Sequence, residues 1–286
     1  MRILAILDRP ETALFTLQAV GELVRRLPAR DIRLLHPRRA ADPAFQAPDE
    51  GIPTPARRAA FARRGALRAE RLRASAQAWI GPAGEKGVAT AHWAEMAGDV
   101  RAIVAREAAM ADLVVVSRPR AADDERERED VEQALAGALY DARALVLIAP
   151  LHSCATVGAR PIIAWHPSPA LDRAVAAAGP LLDAAGHVTF LIGADDDAEQ
   201  PPPERARELT ARGAAVTIAR FSAPRGRLGE EIRARALAAG GDLLIMGAYT
   251  HARFVEWLFG GPTRDLLAHG TLPILTCHHG IEDPAA

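Results

Sequence analysis

The sequence predicts an α/β protein with a parallel sheet, and it predicts that unit twice. Three observations carry this reading. Apolar strand-like runs alternate with helix-like segments along the chain, the trace that βαβ units leave in sequence. The halves repeat each other locally: RILAILD answers PIIAWHP, DVRAIVAREAAMADLVVVS answers GEEIRARALAAGGDLLIMG, and VEQALAGALYDARALVLI answers VEWLFGGPTRDLLAHGTLPIL. At 286 residues the chain has room for two units of roughly 140 residues.

In the first half the expected strands are Arg2–Leu7, Ile32–Leu35, Val88–His92, Leu113–Val116 and Leu145–Ile148. In the second they are Pro161–Trp165, Val188–Ile192, Ala215–Ala219, Leu243–Met246 and Leu272–Thr276. Helices fit at Ala13–Leu27 and Ala170–Ala184 after each first strand, and at Val100–Ala109 and Leu228–Ala238 before each fourth. The short polar link Leu151–Arg160 divides the chain into units 1–150 and 151–286.

Two segments distinguish the first half. An insert at 37–80 carries a Pro-rich stretch and then an Arg-rich helix from Arg57 to about Ile80. Phe61, Leu72, Ala76 and Trp79 fall near helical spacing and form a docking face. The remaining positions hold Arg57, Arg58, Arg63, Arg64, Arg68, Arg71 and Arg73, expected as a solvated surface, with an anionic partner as the alternative. The run Ala121–Asp130, AADDERERED, is expected as a solvated, mobile loop.

Composition narrows the function classes. Lys+Arg is 35 and Asp+Glu is 36, so no net field draws the chain to nucleic acid or to an anionic membrane. Two cysteines, Cys154 and Cys277, make no disulfide framework and suit a reducing cytoplasm. The apolar run before Asp8 is too short for a signal peptide, and no stretch reaches membrane-spanning length. The expectation is a cytoplasmic protein.

The chemistry-bearing stretch is MGAYTHARFVEWLFGGPTRDLLAHGTLPIL, residues 246–275. Gly247 follows a strand, and Gly260-Gly261-Pro262-Thr263 opens a helix. A helix N-terminus offers unpaired N–H groups and a positive dipole end, and glycines let the backbone approach a phosphate. Pro262 suits the first helical turn, and Thr263 supplies a cap or a phosphate-binding hydroxyl. The same residues also serve as ordinary strand and helix punctuation.

This stretch resembles the C-terminal signature of the universal stress protein (UspA-type) family, Gly-x2-Gly-x9-Gly-Ser/Thr, and AWHPSPALDRAV resembles that family's first strand and loop. The resemblance covers both halves apart from the insert. It implies two tandem Rossmann-like (flavodoxin-like) domains, each a five-stranded parallel sheet of order 3-2-1-4-5 with helices on both faces. It also implies that the fifth strands of the two domains pair antiparallel.

One branch of the family binds ATP and another does not. Carried over, Met246 and Gly247 match the residue before the loop and its first glycine, Gly260 the third glycine, and Thr263 a phosphate-contacting hydroxyl. Three positions depart. Thr250 stands in place of the second glycine, Gly261 in place of the Ser/Thr, and His166 where an Asp lies near the ribose. Arg253 adds charge to the loop, and Trp165 is a core or pocket-wall residue. The implied partners are an adenine nucleotide with Mg²⁺ in the C-terminal half, the other half of the same chain, and a second copy in a homodimer. In the first half Ser117-Arg118-Pro119 and the acidic run replace the glycine loop, and no strand-end glycine faces Ala136-Gly137, so no nucleotide is expected there.

Other groupings carry less. Cys277-His278-His279 alternates faces on an emerging strand and has no second ligand cluster. His166 with Ser168 lacks an orienting acid and an oxyanion hole, because Asp172 falls on the following helix. His251 lies in the same loop as Arg253. No residue is a positioned base for attacking water, so the expectation is a stress-response binding protein and not an enzyme. The alternative is a nucleotide-free interaction protein.

Overall fold

Alternation along each strand sorts the apolar side chains onto two faces, and both faces are covered. The computed structural model describes residues 1–29, 31–42, 52–85, 90–120, 122–193, 203–222, 228–248 and 272–278. The strands are β1 (Arg2–Ile6), β2 (Asp31–Arg39), β3 (Thr90–Gly98), β4 (Leu113–Val116), β5 (Leu145–Ile148), β6 (Pro161–Trp165), β7 (His187–Gly193), β8 (Ala215–Phe221), β9 (Leu243–Ala248) and β10 (Ile274–His278). They form one ten-stranded sheet in the order β3-β2-β1-β4-β5-β10-β9-β6-β7-β8. Among the described residues every pairing is parallel except β5 with β10, where Leu147 lies opposite Leu275. The order on each side of that antiparallel junction is the same.

Ile3, Ala5, Val115, Leu147, Ile163, Ile245 and Leu275 belong to one core, and Leu4, Ile6, Val114, Val146, Ile162, Leu244 and Ile274 to the other. This is the period of two that a strand buried on both faces requires. Helices α1 (Pro10–Val24), α2 (Pro55–Glu85), α5 (Pro169–Ala177), α6 (Gly179–Asp183) and α7 (Glu204–Ala211) supply the first core. Helices α3 (Val100–Ala108), α4 (Glu125–Ala136) and α8 (Leu228–Ala238) supply the second.

The local devices repeat as the sequence does. Asp112, just before β4, accepts from the Arg2 N–H at 2.7 Å and so ties the starts of β1 and β4 together. Asp242, just before β9, does the same for β6, accepting from the N–H groups of Gly158, Ala159 and Arg160 at 3.2, 2.8 and 2.8 Å. Wrapping three successive N–H groups around one carboxylate bends the backbone sharply. Gly158 takes φ +79° there, a conformation open to glycine at little cost.

Three expectations change. The acidic run is a helix start and not a loop: Asp124 caps α4, accepting from the Glu127 N–H at 2.8 Å, and Glu127 completes a capping box. Carboxylates at this end complement the helix dipole, and Glu and Arg are good helix formers. The helix expected over Ala170–Ala184 is broken into α5 and α6 at Ala178, where Gly179-Pro180 follows. Gly137, aligned in sequence with a helix-opening glycine, instead closes α4 and begins a π-helical turn, Gly137–Asp141. A Cβ there would lie 2.5 Å from the Arg101 carbonyl oxygen, so this glycine serves the packing of α4 on α3.

The insert helix is longer than expected and lies against α1. Leu72 and Ala76 are fully buried and Trp79 packs on the core, as its spacing implied, but Phe61 is only half-buried and faces a cleft. Among the described residues no helix is long and apolar enough to cross a membrane.

Candidate functional site

β6 is flanked by β7 on one side and β9 on the other, so the strand order reverses beside it. In an open α/β sheet a ligand lies beyond the carboxyl ends of the strands at such a reversal. The chain places Trp165, His166, Met246 and Gly247 there, at the ends of β6 and β9. Thr250, Arg253, Gly260, Gly261 and Thr263 lie outside the described residues, as do His251 and His279.

Each described member has a definite setting. Trp165 is half-buried, and its ring tilts against Phe190 with centroids 5.8 Å apart. His166 is exposed. Met246 is 8% exposed and packs into the second core, opposite Thr276 of β10. Gly247 does not follow its strand but continues it, since β9 runs on to Ala248. A Cβ at Gly247 would sit 2.9 Å from the Leu171 nitrogen and 3.2 Å from the Ala170 Cβ, so glycine here lets the first turn of α5 rest directly on β9.

Ser168 caps that helix, accepting from the Leu171 N–H at 3.3 Å. Cys277 is buried in the first core, while the His278 ring stands edge-on to Tyr140 at 5.0 Å. Among the described residues no group of His, Cys, Asp and Glu has the makings of a metal site.

The matching reversal in the first half, beside β1, joins Ser117 and Asp123, which the sequence placed there, to Asp8 and Arg9, whose part in the site it did not show. Asp8 and Arg9 follow β1, Ser117 follows β4, and Asp123 precedes α4, all buried. The Ser117 hydroxyl donates to Asp8 Oδ2 at 2.7 Å and accepts from Arg9 Nη2 at 2.6 Å. Arg9 also donates to the Arg118 carbonyl at 2.8 Å and pairs with Asp123. The Arg120 N–H donates to the same Asp123 carboxylate at 2.6 Å. A buried guanidinium held between two carboxylates spans the place where the strand ends diverge. Removing one partner of such a pair costs about 3–5 kcal/mol, because the other is left charged and dry.

Arg118 turns the other way. It is 1% exposed and donates to the carbonyls of Ala149 at 3.1 Å and Leu272 at 2.8 Å, linking β4 to the chain entering β10. Burial pulls its guanidinium down to about 10. His36, near the end of β2, is 2% exposed, its Nδ1 lies 2.8 Å from the Leu7 carbonyl oxygen, and burial lowers its affinity for a proton.

No family model matches the sequence, and no curated protein matches it in sequence. The fold does have counterparts. A universal stress protein from Archaeoglobus fulgidus DSM 4304 superposes with a TM-score of 0.68 at 14% identity, over 99% of this chain and 97% of that one. The chain has the fold of that universal stress protein. A putative universal stress protein from Pseudomonas aeruginosa UCBPP-PA14 and a functionally unknown protein from Pseudomonas aeruginosa PAO1 each give a TM-score of 0.51 at 15% identity, over 97% of this chain and 92% of theirs.

Two outcomes are expected from this geometry. Gly247→Ala lowers stability by about 1–3 kcal/mol in urea unfolding with or without any ligand, because the added carbon meets backbone of α5. A neutral variant of the same stability as wild type would place open space at that point. For His36 the folded state holds the proton less tightly than the unfolded state, whose pKa is about 6.5. The unfolded chain therefore binds the extra proton first, and this contribution to stability is lost as pH falls through about 6.5. Thermal unfolding of wild type should lose more stability than His36→Gln between about pH 7.5 and about pH 5. Parallel curves would exclude a buried neutral imidazole.

Proposed function

We propose that this chain is a tandem universal stress protein, with units at 1–150 and 151–286, whose C-terminal half holds ATP or another adenine nucleotide together with Mg²⁺. The observation that carries this is the superposition on the Archaeoglobus fulgidus universal stress protein along 99% of the chain. The sequence of the second half adds to it: Met246 and Gly247 lie in the last three residues of β9 at the reversal, and Gly260, Gly261 and Thr263 follow at the spacing of a phosphate loop. In this reading the helix N-terminus after Gly261 takes the phosphates, Thr263 and Arg253 add a hydroxyl and a charge, and Trp165 and His166 border the base and ribose.

The first half does not hold nucleotide in this reading. Arg9 paired with Asp123 occupies its strand-end crevice, and Asp124 and Glu127 cap α4 with negative charge. No residue is assigned as a base that activates water, so the role is regulatory binding in the stress response and not catalysis. A cytoplasmic setting and assembly as a homodimer accompany the proposal.

Thr250, Gly261 and His166 favour a second reading, in which the site has been lost and the protein acts through protein contacts. Acid denaturation of the purified protein, with the supernatant assayed for ATP, ADP and AMP, separates the two. The expected result is co-purified nucleotide, or a thermal shift with about 1–5 mM ATP and Mg²⁺, abolished by Gly260→Trp. Neither nucleotide nor shift would select the second reading.

A further inference from the structure

We propose that the outward band of the insert helix α2 is a docking surface for an acidic amphipathic helix of another protein. The inference concerns the first half alone and holds whether or not the C-terminal half takes nucleotide. Helix α2 carries seven arginines and two glutamates, while the chain as a whole has a net charge of −1. Basic charge is gathered on this one element, against a body that is acidic on balance.

Leu72 and Ala76, both fully buried, fix which face of α2 meets the body. At about 100° per residue, Leu67 lies about 140° round the helix from Leu72, and it is 55% exposed. Leu67 sits in a row spaced by three and four residues: Arg57, Ala60, Arg64, Leu67, Arg71 and Ala74. All are exposed except Ala60, which is half-buried. This is the heptad pattern of a helix–helix seam, with Arg at one core position and Ala or Leu at the other. The row is about 26 Å long.

The seam selects its partner. Its alanines let a second helix approach to about 8–10 Å, and Leu67 supplies an apolar anchor between them. Arginine stems cover apolar surface while their guanidinium groups reach past it. Among the described residues the guanidinium groups of Arg63, Arg64 and Arg71 form no ion pair, whereas Arg68, on the cleft side, pairs with Glu127 at 3.0 Å. Arg63, Arg64 and Arg71 surround Leu67 at helical spacing, so a helix that rests on Leu67 and carries carboxylates meets all three.

The line of charge fits a helix better than a nucleic acid. Arg57, Arg64 and Arg71 follow one another at a rise of about 10.5 Å, nearly straight over about 21 Å. A duplex strand turns through more than half a circle over that rise and leaves the line. No aromatic side chain stands in the row to stack the bases of a single strand. A helix with a carboxylate at every seventh residue keeps pace with it.

The full-length protein, free of nucleotide, is titrated with a synthetic peptide of about four Glu-Ile-Ala-Ala-Leu-Glu-Glu heptads, read by calorimetry and amide NMR. The expected result is an equimolar complex with Kd below about 100 μM at about 50 mM salt, weakened at least tenfold at about 300 mM. Amide shifts should centre on Ala60–Ala74. Polyglutamate of the same length, and the peptide with Lys in place of Glu, should each bind at least about tenfold more weakly.

Arg71→Glu and Leu67→Ala should each weaken binding about tenfold or more. Arg73→Glu makes the same change of charge about 160° away round the helix and should alter affinity less than about threefold. All three positions are exposed, so the variants should keep the wild-type Tm. No binding of the peptide, equal loss from Arg71→Glu and Arg73→Glu, or equal affinity for polyglutamate would each overturn the proposal. So would tighter, Arg71-dependent binding of duplex DNA or of phosphatidylserine vesicles. A dimer in sedimentation that Arg71→Glu dissolves would also overturn it, because the occupant would then be a second copy of this chain.

Discussion

One antiparallel pairing joins two parallel runs of strands into a single sheet, and the rest of the architecture follows from it. β5 and β10 are short and fully buried, with sequences LVLI and ILTCH. Either strand left at an open edge would expose unpaired backbone and apolar side chains on both faces, the surface that drives aggregation. Paired in the register Ile274–Ile148 through Cys277–Leu145, each closes the other's edge. Because the side chains alternate, the same register carries both cores across the junction, so Leu147 and Leu275 share one and Val146 and Ile274 the other. Arg118 adds a bond across the same line, reaching the Leu272 carbonyl from the end of β4.

With the sheet continuous, two strand-order reversals open along it, beside β1 and beside β6. They have been put to different uses. Beside β1 the crevice is taken up by Asp8, Arg9, Ser117 and Asp123, a network in which every charge has an opposite partner. Beside β6 the strand ends carry Met246 and a bare Gly247, on which α5 lands. The first arrangement holds its space closed with protein charge. The second holds its strand end closed with a helix packed directly on glycine.

Much of the fold was legible because it rests on patterns that short windows contain. Runs such as LVVV and LLIM are apolar enough to be buried on both faces and too short to be helices, and their order needed only the repeat to be seen. The acidic run misled because charge alone does not distinguish a loop from a helix N-terminus. The capping spacing from Asp124 to Glu127 was the deciding signal, present in the sequence but unused. The break at Gly179-Pro180 was likewise written in the chain.

The site was less legible, for physical reasons. Arg9 and Arg118 are among the largest fully buried side chains, yet arginine is ordinarily a surface residue, and nothing local shows that distant carboxylates and carbonyls await it. The role of Gly247 in seating α5 depends on what lies opposite in the fold.

Native-state hydrogen exchange across the junction tests the central claim most directly. If β5 and β10 weld the chain into one cooperative unit, the amides of Leu145–Ile148 and Ile274–His278 open with the free energy of global unfolding measured in denaturant. Opening of those amides at a clearly lower free energy than the amides of β1 and β6 would mean that the two runs part while each stays folded, and would contradict the account.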